Sequence, residues 1–349
     1  VLFSIIVINY NYEQYLPEAI ESALGQSYPH IEVLVVDDGS TDNSKNVIAR
    51  YGDRIRPVFK ENGGQGSGYN AGFEQCHGDI VLFLDADDVL APTACEEVVK
   101  AMAEGISKVQ FKLTIVGPDS KPLGGTLPTL VMHDGDVKHL LMKFGTHGGP
   151  PASGNAFRRE FLNQVLPMPA SEWRMGSDNF LTLQAPFYGN IMSINKELGM
   201  YRQHRKHGGQ NQGDFQMGIG NASGLNKVLE LVSQDDRFLG ETARKHGFAF
   251  NSALHGRNPG FNKNLICAIL LGRAPEGSPS RQKLGIKGGW ACLWYPLYPG
   301  KRRLFGALWF LVAGLAPRPI ALRTVRFALD PTSRSKPPKS LSRERATTL

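Results

Sequence analysis

Four apolar runs in the first 90 residues, each followed by a polar cluster, constrain this chain more than any other feature. Leu2–Ile8 ends at Asn9-Tyr10-Asn11, and Ile31–Val36 ends at Asp37-Asp38-Gly39-Ser40. Arg56–Phe59 leads to the glycine-rich stretch Asn62–Gly68, and Ile80–Leu84 ends at Asp85-Ala86-Asp87-Asp88. Continuous β-branched and apolar runs of this length belong to strands covered on both faces. Between them Leu16, Ile20, Ala23 and Leu24 recur at helical spacing. Thr41–Ser44 supplies capping residues for a helix over Asn46–Tyr51, and a short helix is expected around Asn70–Gln75. The alternation predicts an α/β fold, a doubly wound and mainly parallel sheet flanked by helices. Such sheets bind ligands beyond the carboxyl ends of their strands. The four polar clusters are therefore expected to face one crevice.

The residue types there suggest a chemistry. Asp85 and Asp87, two positions apart after a buried strand, can share Mn²⁺ or Mg²⁺ while a phosphate supplies further oxygens. The plainer reading of such a pair is a surface turn. Asp37-Asp38 can accept hydrogen bonds from a base or ribose, or can simply complement a helix N-terminus, which suits Asp42. Glycines 63, 64, 66 and 68 let backbone approach a ligand closely, with Asn62 or Gln65 beside it. No Gly-Lys-Ser/Thr follows that stretch, and no Gly-x-Gly-x-x-Gly follows the first strand. Both absences speak against a P-loop ATPase and an NAD enzyme.

From about residue 105 to 240 the rhythm loosens. A strand pair (Val109–Val116 with Lys121–Gly125), a helix over Val137–Met142 and a break at Gly148–Pro151 are expected, and residues 222–250 and 260–272 read as helices. Charge divides the chain. It carries 39 Lys/Arg against 32 Asp/Glu, a net of +7, yet Arg281–Leu349 alone holds 14 basic residues and 2 acids. The body therefore nets −5 and the C-terminal stretch +12, which excludes a uniformly basic nucleic-acid-coating protein. Trp290, Trp294, Tyr295, Tyr298, Trp309 and Phe310 alternate there with Lys301–Arg303, Arg318, Arg323 and Arg326. Aromatic belts beside basic residues describe an element lying in a membrane interface; the bland alternative is a helical pair packed on the body. No nucleic-acid motif accompanies the charge. Cys76, Cys95, Cys267 and Cys292 are scattered, as expected for free thiols in a reducing compartment. No signal-peptide pattern is visible, and the chain opens at Val1 within a strand-like run, so a few residues are expected before it.

Taken together, Val7–Asn11, Val36–Asp42, Asn62-Gly63-Gly64 through Asn70-Ala71-Gly72, and Leu84–Asp88 resemble the ordered motifs of family 2 glycosyltransferases of GT-A fold. The resemblance is dense over residues 2–90. It continues faintly to about 211, through Gly154–Arg159, Ser177-Asp178 and Tyr201–His204. It implies inverting transfer from a nucleotide-sugar donor, a UDP-sugar favoured, to a glycan or lipid-linked acceptor. It also implies a GT-A, Rossmann-like sheet with an irregular acceptor lobe and a helical basic C-terminal extension. Ile8, Tyr10, Asp38, Asn62, Gly64, Gln65, Asn70, Asp85 and Ala86 would hold the donor. Asp85, Asp87 and His204 would hold Mn²⁺ or Mg²⁺. Asp178 would be the catalytic base, with Glu172 as the fallback. Relatives usually place an acid before that base, where this chain has Ser177. Many also place Arg where it has Tyr69, so Arg202, His204 or His207 would meet the diphosphate. The plainer role for Asp178 is a helix N-cap.

The implied division is a nucleotide-sugar half at 1–104, an acceptor and base half at 105–240, a helical extension at 241–329 and a disordered tail at 330–349. The expected location is cytoplasmic, peripheral on the inner membrane face. The competing readings are a catalytically silent nucleotide-sugar-binding scaffold, kept open by Ser177, and a sugar-nucleotide pyrophosphorylase. The latter would want Gly-x-Gly-Thr-Arg after the first strand.

Overall fold

The computed structural model describes residues 1–204, 222–252, 257–272 and 274–329. The tail at 330–349 and His207 lie outside the described residues. The described chain falls into two units, the first comprising 1–216, 233–253 and 296–299, and the second 217–232, 254–295 and 300–349.

The first unit is built on one nine-stranded sheet. Its strands are β1 (Phe3–Asn9), β2 (Ile31–Asp37), β3 (Arg56–Phe59), β4 (Ile80–Asp85), β5 (Val89–Leu90), β6 (Ile106–Val116), β7 (Pro122–Leu127), β8 (Asn155–Arg158) and β9 (Asn190–Arg202). They run in the order β3-β2-β1-β4-β8-β6-β9-β5, with β7 on β6. The β3-β2-β1-β4 half is entirely parallel. Beyond it β8 runs antiparallel to both β4 and β6, while β6 and β9 are parallel. The stretch whose patterning loosens after residue 105 thus completes the same sheet. It reads poorly because β6 and β9 are crossed by register shifts that break the two-residue period.

One face of the sheet packs Phe3, Ile5, Val7, Val33, Val35, Leu82 and Leu84 against α1 (Leu16–Leu24), α2 (Ser44–Ala49) and α4 (Ala94–Ala101) in a single core. The other face receives α3 (Gln65–Gln75), which approaches so closely that a Cβ on Gly72 would fall 2.4 Å from Ile6 Cγ2. α3 begins at Gln65, five residues before the expected start near Asn70. Its first amides donate outside the helix, Gln65 N–H to Arg174 O and Gly66 N–H to Trp173 O. Gly64 at φ +86° makes the entry turn. Of the glycines that suggested a loop, Gly66 and Gly68 are thus helical residues, fitted against the Trp173 carbonyl and the Ile8 side chain.

α5 (Lys138–Phe144), α6 (Arg159–Val165) and α7 (Ser177–Tyr188) complete this unit together with residues 233–245 of α8 (Ala222–Lys245). There Phe238 packs on Trp173 and Phe180. α8 stops at Lys245, short of the expected residue 250, because Gly247 turns the chain at φ +79°. The second unit contains α9 (Pro259–Leu270), α10 (Arg281–Trp294), α11 (Gly300–Leu315) and α12 (Arg318–Leu329). All four cysteines are buried free thiols. No described helix is long and apolar enough to cross a membrane.

Candidate active site

Strand register brings the polar clusters level. Asn9 pairs with Asp37 across β1–β2, and Ile8 pairs with Asp85 across β1–β4. Asn9 Nδ2 donates to Asp37 Oδ1 at 2.8 Å, and Asp37 Oδ2 accepts from Ser40 N–H, so this buried pair shapes the loop after β2. Asn11, at φ +59°, accepts from Thr41 N–H at 2.7 Å and ties the first two clusters together. Tyr10 stands exposed above them.

Asp38 is buried and accepts from Gly63 N–H, Gly64 N–H and Lys60 Nζ. Its carboxylate therefore organises the glycine-rich entry to α3. Asn62 bridges the same region, donating to Asp38 O and accepting from Arg174 Nη2. Asn70 takes a different place from the expected one. Both ends of its amide are engaged by the Met168 backbone, at 2.8 and 2.9 Å, which fixes the segment leading to α7 rather than reaching into the crevice. Ala86 is buried and donates its N–H to Ile8 O, pinning the turn after β4 to β1.

Gln65 joins the two sides of the crevice. Its Nε2 reaches Asp85 Oδ1 at 3.4 Å, and its Oε1 accepts from Ser177 N–H at 3.1 Å. The residue after Ser177 is Asp178, in the first turn of α7. The carboxylates of Asp87 and Asp178 thus lie close enough for their charges to act on Asp85. Burial, then the charges of Asp87 and Asp178, push Asp85 up to about 8. Burial raises Asp178 as well, opposed by the N–H groups of its own helix turn and by the charge of Lys108. Ser177 is buried and donates to Trp173 O at 2.7 Å, so it is spent on the turn that orients α7. Glu172 is exposed on that turn.

Asp87 Oδ2 lies 2.8 Å from His204 Nε2. Arg202, expected as a phosphate ligand, is occupied instead. Its guanidinium donates to the carbonyls of Asp87, Gly117 and Pro118, to Ser120 Oγ and to Glu18, and it covers the Tyr15 ring. It is 2% exposed and acts as a clamp behind the β4 turn. Asp88 serves the same turn, accepting from Ser153 Oγ and Arg202 N–H.

Among the described residues no three His, Cys, Asp or Glu side chains converge as a ready cation cage. The donors nonetheless fit a hard divalent ion that takes its remaining ligands from phosphate. Asp85 and Asp87 offer oxygens, His204 adds an imidazole, and the mutual repulsion of the acids calls for positive charge.

Several site residues escaped the sequence reading. Lys60 and Arg174 border the glycine-rich entry. Lys108, fully buried on β6, donates to Asn155 Oδ1 at 3.1 Å and is pushed down to about 7 by desolvation. Asp235 on α8 accepts from Asn179.

Residues 4–166 match the family described as Glycosyl transferase family 2. That match covers just under half of the chain. An uncharacterized glycosyltransferase of Nostoc sp. is 37% identical over 207 residues, which cover 58% of this chain and 64% of that one. The putative teichuronic acid biosynthesis glycosyltransferase TuaG of Bacillus subtilis is 30% identical over 148 residues, or 40% of this chain and 59% of TuaG. A glycosyltransferase of Rickettsia felis is 44% identical over 117 residues but is matched over only 19% of its length. The chain thus spans less than two thirds of the length of these relatives. Among solved structures, S. aureus TarS 1-349 in complex with UDP superposes with a TM-score of 0.50 at 19% identity, covering 89% of this chain and 90% of that one. The GT-A-type sheet expected from the sequence is therefore the fold observed.

Proposed function

We propose that this chain transfers a sugar from a nucleoside-diphosphate donor to a hydroxyl of a glycan or lipid-linked acceptor, with inversion at the anomeric carbon. The observation that carries the reading is the Gln65 bridge, which sets Asp178 across the crevice from Asp85. Tyr10 and the Asp38 loop flank the place of the base and ribose, where Lys60 and Arg174 offer positive charge toward the diphosphate. A uridine nucleotide is favoured, the ligand present in the TarS structure. A polysaccharide acceptor agrees with the role that TuaG's name carries.

In the reaction the acceptor oxygen attacks the anomeric carbon as the bond from that carbon to the diphosphate oxygen breaks. Asp178 accepts the hydroxyl proton, and the nucleoside diphosphate leaves with the bonding pair. Asp85, Asp87 and His204 would hold Mn²⁺ or Mg²⁺, which when bound neutralises charge on the leaving diphosphate. Lys108 favours the ionised form of Asp178. The helical extension would meet a membrane surface, which suits an acceptor carried on lipid.

The test is thermal stabilisation by UDP-, GDP- and dTDP-sugars with and without Mn²⁺. A shift with one nucleotide in the presence of metal is expected. No shift with any of them would sink the proposal.

A further inference from the structure

The second unit keeps an apolar face on its outside. α10 and α11 meet along glycine. A Cβ on Gly285 would fall 2.6 Å from Gly314 Cα, and one on Gly288 would fall 2.3 Å from the Phe310 ring. This close seam buries Leu284, Cys292, Ala307, Phe310 and Ala313. On the outer side of α10, Ile286, Trp290 and Trp294 recur every fourth residue, and the two tryptophans are 67% and 70% exposed. On α11, Leu304, Phe305, Leu308, Leu311 and Leu315 are exposed, Phe305 by 73%. Leu311 lies against Gly289, the neighbour of Trp290, so the two stripes adjoin. A continuous apolar face of this kind marks a contact surface.

Charge selects the occupant. Residues 281–329 contain nine Lys/Arg and no acid. A second copy meeting this face would bring two basic, acid-free stretches together. A surface that is apolar below and anionic above answers both features at once. α11, with 16 residues, is about 24 Å long, and no described helix can cross a bilayer. We infer that α10 and α11 insert side by side into one leaflet of an anionic membrane. Trp290, Trp294, Phe305 and Leu308 enter the acyl region, while Lys283, Lys287, Lys301 and Arg302, all exposed, lie at the lipid phosphates. The glycine seam makes the pair a thin wedge, two backbones in near contact. The inference rests on the membrane contact proposed above and not on the transfer chemistry.

Flotation of the full chain with phosphatidylcholine vesicles, with and without phosphatidylglycerol, tests it, together with tryptophan quenching by brominated acyl chains. The chain should float with phosphatidylglycerol vesicles and be quenched, and W290F/W294F should lose most of the quenching. F305S/L308S should lose roughly tenfold or more of the bound fraction while keeping its thermal transition and its hydrolysis of a UDP-sugar. Binding without quenching would mean adsorption by charge alone and would overturn insertion. So would failure to float, including the case in which F305S/L308S dissociates a dimer seen by sedimentation. Loss of hydrolysis in the wild type would strike the transfer reading and leave the lipid result standing.

Discussion

Asn179 donates its side-chain amide to Asp235 Oδ2 at 2.9 Å, tying α8 to the first turn of α7 one residue beyond Asp178. The bond brings a second carboxylate beside the proposed base from a remote part of the sequence. Position 177, where the family resemblance leads one to expect that acid, holds a serine turned to Trp173 O. Burial, then the charge of Asp178, pushes Asp235 up to about 7. A carboxyl raised in the folded state stabilises it fully below its ordinary value of 3.8, and that contribution is lost as pH rises through about 7.

Asp235→Asn keeps an acceptor for Asn179 and removes the charge. It should therefore stabilise the protein above about pH 7, by on the order of 1 kcal/mol after allowing for partial solvent screening. Urea midpoints compared across that pH range check this. Because neighbouring carboxylates raise one another, the acid limb of kcat/KM should also move to lower pH.

Asp178→Asn removes the proposed proton acceptor while preserving shape. Transfer should fall by roughly 10²–10⁴, with stabilisation by donor and Mn²⁺ little changed. Turnover measured beside a donor thermal-shift titration separates chemistry from binding. A variant that turns over like the wild type would return Asp178 to the role of a helix cap.

Lys108→Met tests the charge beneath the base. The ammonium lowers the Asp178 pKa against its burial, so its loss should move the acid limb of kcat/KM upward. Stability gives an independent reading. A lysine depressed from 10.5 to about 7 makes the folded state gain stability as pH rises across that window and lose it as pH falls. That slope should flatten in the variant, as followed by urea midpoints.

The parallel half of the sheet was legible because buried parallel strands need continuous apolar runs, and β1, β2 and β4 supply them. Asp85, Asp87 and Asp178, singled out as acids at a strand end and a helix start, come close enough for the charges of Asp87 and Asp178 to act on Asp85. Other features depend on contacts between distant segments. Arg202 ends β9, where a phosphate ligand was expected, yet its donors are taken up by carbonyls of residues 87, 117 and 118. Asn70 belongs to a motif but spends its amide on Met168, 98 residues away. Lys108 and Asp235 carry no motif, and only the fold brings them near α7.

The same dependence makes Gly66 a sensitive position far from any reacting atom. A Cβ there would lie 2.6 Å from Trp173 O and 2.9 Å from Met168 Sδ, within the contact between the start of α3 and the turn that launches α7. Backbone cannot yield as a flexible side chain can, so Gly66→Ala should cost about 1–3 kcal/mol. Relief of the clash would push Gln65 and Ser177 apart, and with them the link between Asp85 and Asp178. Turnover should then fall more than donor affinity, because the proposed donor site is on the sheet side and the proposed base on the α7 side. Steady-state kinetics with a donor titration separate the two effects. Equal losses in both would mean that the contact supports the donor pocket and not the position of the base.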